Sequence, residues 1–315
     1  MNTKFNLEQV FELGQVEVYQ NVETIPDVEV TLEKGLDGYP LMYHLATVGA
    51  VSNTLTGRAN TKNQFAMSIF SDSQDSSSGT PLETVYCSGI FVQSVAYHFP
   101  VEGISTEQVT LVGNNKQWGA TGVTFTGFMN NTDAPSYSGG VSRRWNVVFA
   151  PPSGGATYTI LPTNIEGISA SGTNDMDAEG NFKAHVQNIR ASANLGREQM
   201  HELGRRGNFF RYVQFPVEVR TEIEIYGLSG DSVSALEEGI NADGTNQVNP
   251  GYRITIKTDE GTYLDLGSRN KLETVTYGGG NATGRGGNVM ETYSYQTWND
   301  FIVAHPADPS DFGGF

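Results

Sequence analysis

The chain alternates strictly between residues 217 and 225. Val217, Val219, Thr221, Ile223 and Ile225 hold one parity, and Glu218, Arg220, Glu222 and Glu224 hold the other. Successive side chains of a strand point to opposite faces, so this pattern predicts a half-buried strand with the four charged residues on its wet face. Residues 252–258 repeat it, with Tyr252, Ile254 and Ile256 inward and Arg253, Thr255 and Lys257 outward. Val95, Tyr97 and Phe99 alternate with Ser94, Ala96 and His98, and Val28, Val30 and Leu32 alternate with Glu29, Thr31 and Glu33. Further strands are predicted near 108–112, 122–128, 145–150, 262–266, 272–277 and 291–303. Many half-wet strands, punctuated by Gly, Asn, Asp and Pro, predict an all-β antiparallel sandwich or barrel.

Two segments break the alternation and read as short helices. Leu7, Val10 and Phe11 fall at i, i+3, i+4, with Gly14 placed to end the helix, and Leu195, Gln199, Met200 and Leu203 are loosely helical before Gly204. These segments are near copies of one another: EQVFELG at 8–14 and EQMHELG at 198–204. The likeness continues in order. Pro26–Val30 is echoed by Pro216–Val219 with one residue fewer, and Gly35-Leu36-Asp37-Gly38 by Gly227-Leu228-Ser229-Gly230. Glu102-Gly103 is echoed by Glu260-Gly261, Val112–Lys116 by Leu266–Lys271, Val123-Thr124-Phe125 by Val275-Thr276-Tyr277, and Trp145-Asn146 by Trp298-Asn299. Chance among short β motifs and an ancestral duplication both produce such matches, and their shared order points to duplication. The expected organisation is a first β domain over 1–152, a linker or insertion over 153–192, a second β domain over 193–306 and a C-terminal arm over 307–315. Long exposed loops are predicted at 71–81, 130–141 and 278–288, where small and polar residues cluster.

At 315 residues the chain is long enough to bury a large core without staples. Its single cysteine, Cys87, permits no intramolecular disulfide and no cysteine-based zinc site, and in the apolar run VYCSGIFV it reads as a small buried hydrophobe. No secretory pattern or apolar run of membrane-spanning length is present, so a soluble chain made in a cytoplasm is expected. The balance of 35 acidic against 19 basic residues, net −16, has the wrong sign for a sequence-independent DNA binder. Solubility alone accounts for it, and so does a surface that must lie near DNA without adhering; composition does not choose between them.

Catalytic and cofactor signatures are missing: no phosphate-binding GxxxxGK[ST], no HExxH and no GxSxG occurs. His44, His98, His185, His201 and His305 show no ligand spacing and read as surface or turn histidines. Asp175–Gly180 resembles the first half of a calcium loop, but Val186 stands where the bidentate Glu is required, so it reads as a solvated turn. Glu222 and Glu224 are neighbours on one strand face, with no histidine or pocket to make them an acid–base pair. No enzyme, cofactor or metal is therefore expected. Arg205, Arg206, Phe209, Phe210, Arg211 and Tyr212 interleave cationic and aromatic side chains. Single-strand binders do the same, yet in so acidic a chain a subunit contact, with arginines meeting a neighbour's carboxylates, is preferred.

Several runs resemble bacteriophage tail tube proteins: DVEVTLEKGLDGYPLMYHLAT (27–47), YHFPVEGISTEQVTLVGNNKQW (97–118), ASANLGREQMHELGRRGNFFRYVQFPVEVRTEIEIYGLSGD (191–231) and ETYSYQTWNDFIVAHP (291–306). Together they cover a third to a half of the chain, as texture and not as a diagnostic motif. The resemblance implies two tandem tube-like β-barrel or sandwich domains forming a ring-shaped oligomer, trimeric and pseudo-six-fold if the chain is duplicated, plainly hexameric otherwise. It implies stacked rings around a tape measure protein, an acidic lumen that DNA crosses without specific binding, and contacts with sheath, baseplate and tail terminator proteins in the virion tail. On that reading Glu218, Arg220, Glu222 and Glu224 are candidates for the lumen or another wet face. The alternatives are a baseplate hub or capsid-surface protein, or a carbohydrate-binding or carbohydrate-active β-protein using Trp118, Trp145 and Trp298. Against the last, two of these tryptophans hold matching places in the echo, which predicts core packing.

Overall fold

The computed structural model of the chain describes residues 1–5, 7–11, 13–14, 18–72, 81–119, 140–148, 161–168, 184–205, 207–227, 233, 251–279, 289–306 and 308. The fold is mostly β, with 55% of the described residues in strand and 5% in helix, and its sheets are antiparallel. In chain order the strands are β1 (Asn2–Lys4), β2 (Leu7–Phe11), β3 (Val18–Glu23), β4 (Asp27–Gly35), β5 (Asn63–Ile69), β6 (Glu83–Pro100), β7 (Thr106–Gly113), β8 (Asn115–Gly119) and β9 (Val147–Val148). They continue as β10 (Val186–Asn194), β11 (Arg197–Met200), β12 (Phe210–Val213), β13 (Glu218–Tyr226), β14 (Thr255–Thr258), β15 (Tyr263–Asp265), β16 (Lys271–Gly278), β17 (Met290–Trp298) and β18 (Ile302–Ala304). Two short helices, α1 (Met42–Leu45) and α2 (Leu55–Arg58), lie between β4 and β5.

The main sheet runs β1-β4-β7-β6-β10-β13-β17-β16, with β5 and β8 pairing the first half of β6. A second sheet, β18-β15-β14-β9, lies over part of its apolar face. Tyr97 on β6 packs near Phe301 beside β18 at 6.3 Å, and Tyr295 on β17 meets Tyr252 edge-on at 6.1 Å. Val95, Val109, Ala191, Val219, Ile223 and Tyr293 all sit in one continuous core with Leu264 and Val303 of the smaller sheet. The alternation that predicted β13 is observed directly: Val219, Thr221, Ile223 and Ile225 are buried, and Arg220 and Glu222 are exposed.

The two predicted helices are strands. Leu7–Phe11 pairs with β3, and Arg197–Met200 pairs with β12. Over so few residues an i, i+3, i+4 pattern does not exclude a strand, and a partner in the hairpin decides. Each hairpin turn carries a glycine at positive φ, Gly14 at 89° and Gly204 at 80°, a conformation that a side chain disfavours. The predicted strands near 122–128, the loops over 73–80, 130–139 and 280–288, and the calcium-like turn lie outside the described residues, as do 309–315 of the arm. The segment expected as a linker contributes β10 from residue 186 onward. His305, at the end of the expected second domain, is buried, and so is His44; neither is the expected surface histidine.

The pairing register repeats along the main sheet. Pairs between β6 and β7 run Val92↔Leu111, then Ser94↔Thr110 through Tyr97↔Glu107 to His98↔Thr106, with an extra residue at Gln93. Pairs between β16 and β17 run Leu272↔Tyr295, then Thr274↔Ser294 through Tyr277↔Glu291 to Gly278↔Met290, with the extra residue at Glu273. Every pair of the second set is the first displaced by 180 and 184 residues, bulge included. Likewise Val28↔Gly113 to Gly35↔Thr106 becomes Val219↔Thr297 to Tyr226↔Met290, displaced by 191 and 184 residues. Lys4↔Asp27 becomes Asn194↔Glu218, and the hairpin pair Leu7↔Glu23 becomes Arg197↔Val213. The sheet is thus two four-stranded units of one topology, β1-β4-β7-β6 and β10-β13-β17-β16, each with a hairpin between its first two strands. They join where β6 pairs with β10.

This register corrects the sequence alignment of the echo beyond the hairpins. The second copy has one residue more before its long strand, not one fewer, so Val28 corresponds to Val219. Val275-Thr276-Tyr277 corresponds to Val95-Ala96-Tyr97, and 106–113 corresponds to 290–297. The better match, VQSVAY at 92–97 against LETVTY at 272–277, is conservative at nearly every place but identical at only two.

Candidate functional site: the polar face of the main sheet

The four charged residues of β13 lie in the middle of the sheet on the face opposite the core, because their parity is opposite to that of Val219 and Ile223. Antiparallel register sets their neighbours: Arg190 opposite Glu222, Ser192 opposite Arg220 and Asn188 opposite Glu224 on one side, then Ser294 and Gln296 on the other. Arg220 bonds Glu218 on its own strand and lies 3.8 Å from Glu273, the bulge residue of β16. The bulge turns Glu273 onto this face; without it that residue would share the parity of a core position. Asn188 donates to Glu224 at 3.5 Å.

The same face continues onto the first unit through Glu29, Glu33, Gln108 and His98. Burial, then the nearby Arg190, lowers the pKa of His98, which keeps it neutral near pH 7. Seven carboxylates of this parity (Asp27, Glu29, Glu33, Glu218, Glu222, Glu224, Glu273) stand against Lys4, Arg190, Arg220 and Lys271, so among the described residues the face carries net negative charge. Sequence reasoning found the β13 members alone. Arg190, Glu29, Glu33 and Glu273 join them only through strand order and the bulge.

The cationic-aromatic segment is divided by the fold. Arg205 is exposed beside Glu202 at 3.7 Å, and Phe209 and Tyr212 remain about half exposed. Phe210 turns inward against Phe91, edge-on at 4.9 Å. Arg211 is buried: its guanidinium donates to Asp27 at 2.7 Å and to the Gly113 carbonyl at 3.3 Å. It ties the second hairpin to the start of β4 and is not a surface arginine awaiting a partner. Arg206 lies outside the described residues. Arg197 anchors the same hairpin, donating to the Val92 carbonyl at 2.7 Å and stacking over Phe91; burial brings its pKa down to about 10, so it stays charged. Trp118, Trp145 and Trp298 are all about half exposed, which corrects the core packing expected for the latter two. They belong to three separate elements, β8, the 3-10 turn Arg144–Asn146 and β17.

A buried polar cluster ties the units' strands to their surroundings. Glu107 accepts from the Tyr97 hydroxyl at 2.7 Å and from the backbone N–H groups of Met42 and Tyr43 at 2.6 and 3.0 Å. Burial raises its pKa against the opposing pull of these bonds. At the corresponding place Glu291 is also buried and accepts from Tyr293 at 2.8 Å. His44 bonds the Val303 carbonyl at 3.1 Å, near the ion pair of Arg58 with Asp308. Cys87 is buried, as expected, and burial raises its thiol pKa. Among the described residues no group of three metal-ligating side chains is clustered, and no helix is long and apolar enough to cross a membrane.

Comparison with protein-family models gives no match, and no curated protein matches the chain significantly.

Proposed function

We propose that the chain is a structural subunit of a bacteriophage tail tube, whose rings stack into the conduit for DNA ejection. The observation that carries this reading is the pair of four-stranded units joined edge to edge in one sheet with one net-negative face. We infer that the two units descend from a duplication, so that three chains supply six units to a ring. A negative face repels a duplex at every register, so DNA would pass without sequence-dependent binding. The other partners on this reading are the tape measure protein inside the tube and the sheath, baseplate and terminator proteins at its boundaries. The assembly belongs to the virion tail, and its role is mechanical and not enzymatic.

Electron microscopy of the purified chain, with averaged end-on views, tests the proposal. Stacked tubes with a central hole and six lobes in three-fold modulation are the expected outcome. Discrete rings that never stack would favour a baseplate hub. A dispersed monomer at high concentration would sink the tube reading.

A further inference from the structure

We infer that the end strands of the main sheet join head to tail between copies of this chain, β16 of one copy pairing antiparallel with β1 of the next. The inference rests on the reading of the chain as a ring-forming subunit and names the contact that builds the ring. The template is inside the chain. At the junction of the two units, Ser94, Val95 and Ala96 of β6 pair with Asn194, Ala193 and Ser192 of β10. The register repeat carries β6 onto β16 by 180 residues and β10 back onto β1 by 190. The same junction between copies therefore sets Thr274 opposite Lys4, Val275 opposite Thr3 and Thr276 opposite Asn2.

Three further observations agree with this register. Among the described residues no strand pairs with the outer edge of β1 or of β16, the two ends of the strand order. The faces match: Val275 and Thr3 share the core side through Tyr293 and Val28, and Thr276 and Asn2 share the polar side through Thr292 and Glu29. Charge is complementary, because Lys4 would face Thr274 next to the Glu273 carboxylate. Exposed Met1 and Tyr277 flank the two edges at 47% and 58% accessibility. An unpaired edge is a liability that pairing removes. Two different edges meeting head to tail give a heterologous contact that closes into a ring when the rotation per copy allows it.

Cysteine cross-linking tests the register. Antiparallel partners lie about 4.5–5.5 Å apart at Cα, within disulfide range. Asn2→Cys with Thr276→Cys in one chain, both on the exposed face, should yield under mild oxidant a reducible ladder of covalent multimers. The shifted pair Asn2→Cys with Thr274→Cys should yield at least tenfold less, and the wild-type chain, with Cys87 buried, none. Rings or tubes by microscopy without the ladder would overturn the junction and leave the tube reading standing. Equal ladders from both pairs would also overturn it. A register-specific ladder from particles that never form tubes would uphold the junction and refute the tube. A monomer with neither assembly nor cross-link refutes both.

Discussion

At the scale of single residues, burial sets the charge states that matter for stability. His44 and His305 are both held down to about 4, His44 by burial and then Arg58, His305 by burial and then Lys34. Asp308 pulls against this at both sites, and Asp37 at His305. An unfolded histidine titrates near 6.5, so between about pH 6.5 and 4 the unfolded chain binds protons that the folded chain refuses. Stability is therefore present above 6.5 and is lost as pH falls through this window. Glu107 acts with the opposite sign, because its raised pKa makes the folded chain take up a proton first as pH falls. Glu260, raised by burial, adds to Glu107, and His98 adds to the other two, so three histidines stand against two carboxyls. The urea unfolding free energy should be lower at pH 5 than at pH 7 by on the order of 2 kcal/mol. A His305→Gln variant should show a shallower dependence, and equal stability at both pH values in the parent chain would contradict the assignment.

At the scale of elements, the Glu107 cluster fastens α1 to β6 and β7. Tyr97→Phe removes one donor and leaves a buried carboxylate with only its two backbone partners from Met42 and Tyr43. A loss of about 1–3 kcal/mol is expected in denaturant titration. Tyr293→Phe beside Glu291 should cost a similar amount, since the same chemistry recurs in the second unit. If both variants unfold at the parental midpoint, the cluster is not the tie described. The hairpins show where short-range signals stop. EQVFELG and EQMHELG announced a repeat at the right spacing, because turn-forming glycines and leucines are local features. Their helical reading failed because a partner strand seven or more residues away satisfied the backbone instead.

At the scale of the whole molecule, the sign of the polar face governs its dealings with DNA. Glu222→Lys with Glu224→Lys would change seven carboxylates against four cations into five against six on that face. The parent assembly should leave duplex DNA unshifted in a gel at about 150 mM salt, and the variant should retain it with a steep salt dependence. Binding of equal strength by the parent would remove the argument that this face lets DNA pass. Sequence by itself determined the all-β class and the parity of β4, β6 and β13, and it pointed to a repeat. Each of these rests on side-chain period or local turn chemistry. The tertiary structure alone decided which strands are equivalent, that both units share one sheet, that Arg211 is spent on Asp27, and that Arg190 and Glu273 join the charged face. Those outcomes depend on pairing register between strands far apart in the chain. Many β-branched runs fit the same alternation equally well, and only packing on a common core selects among them.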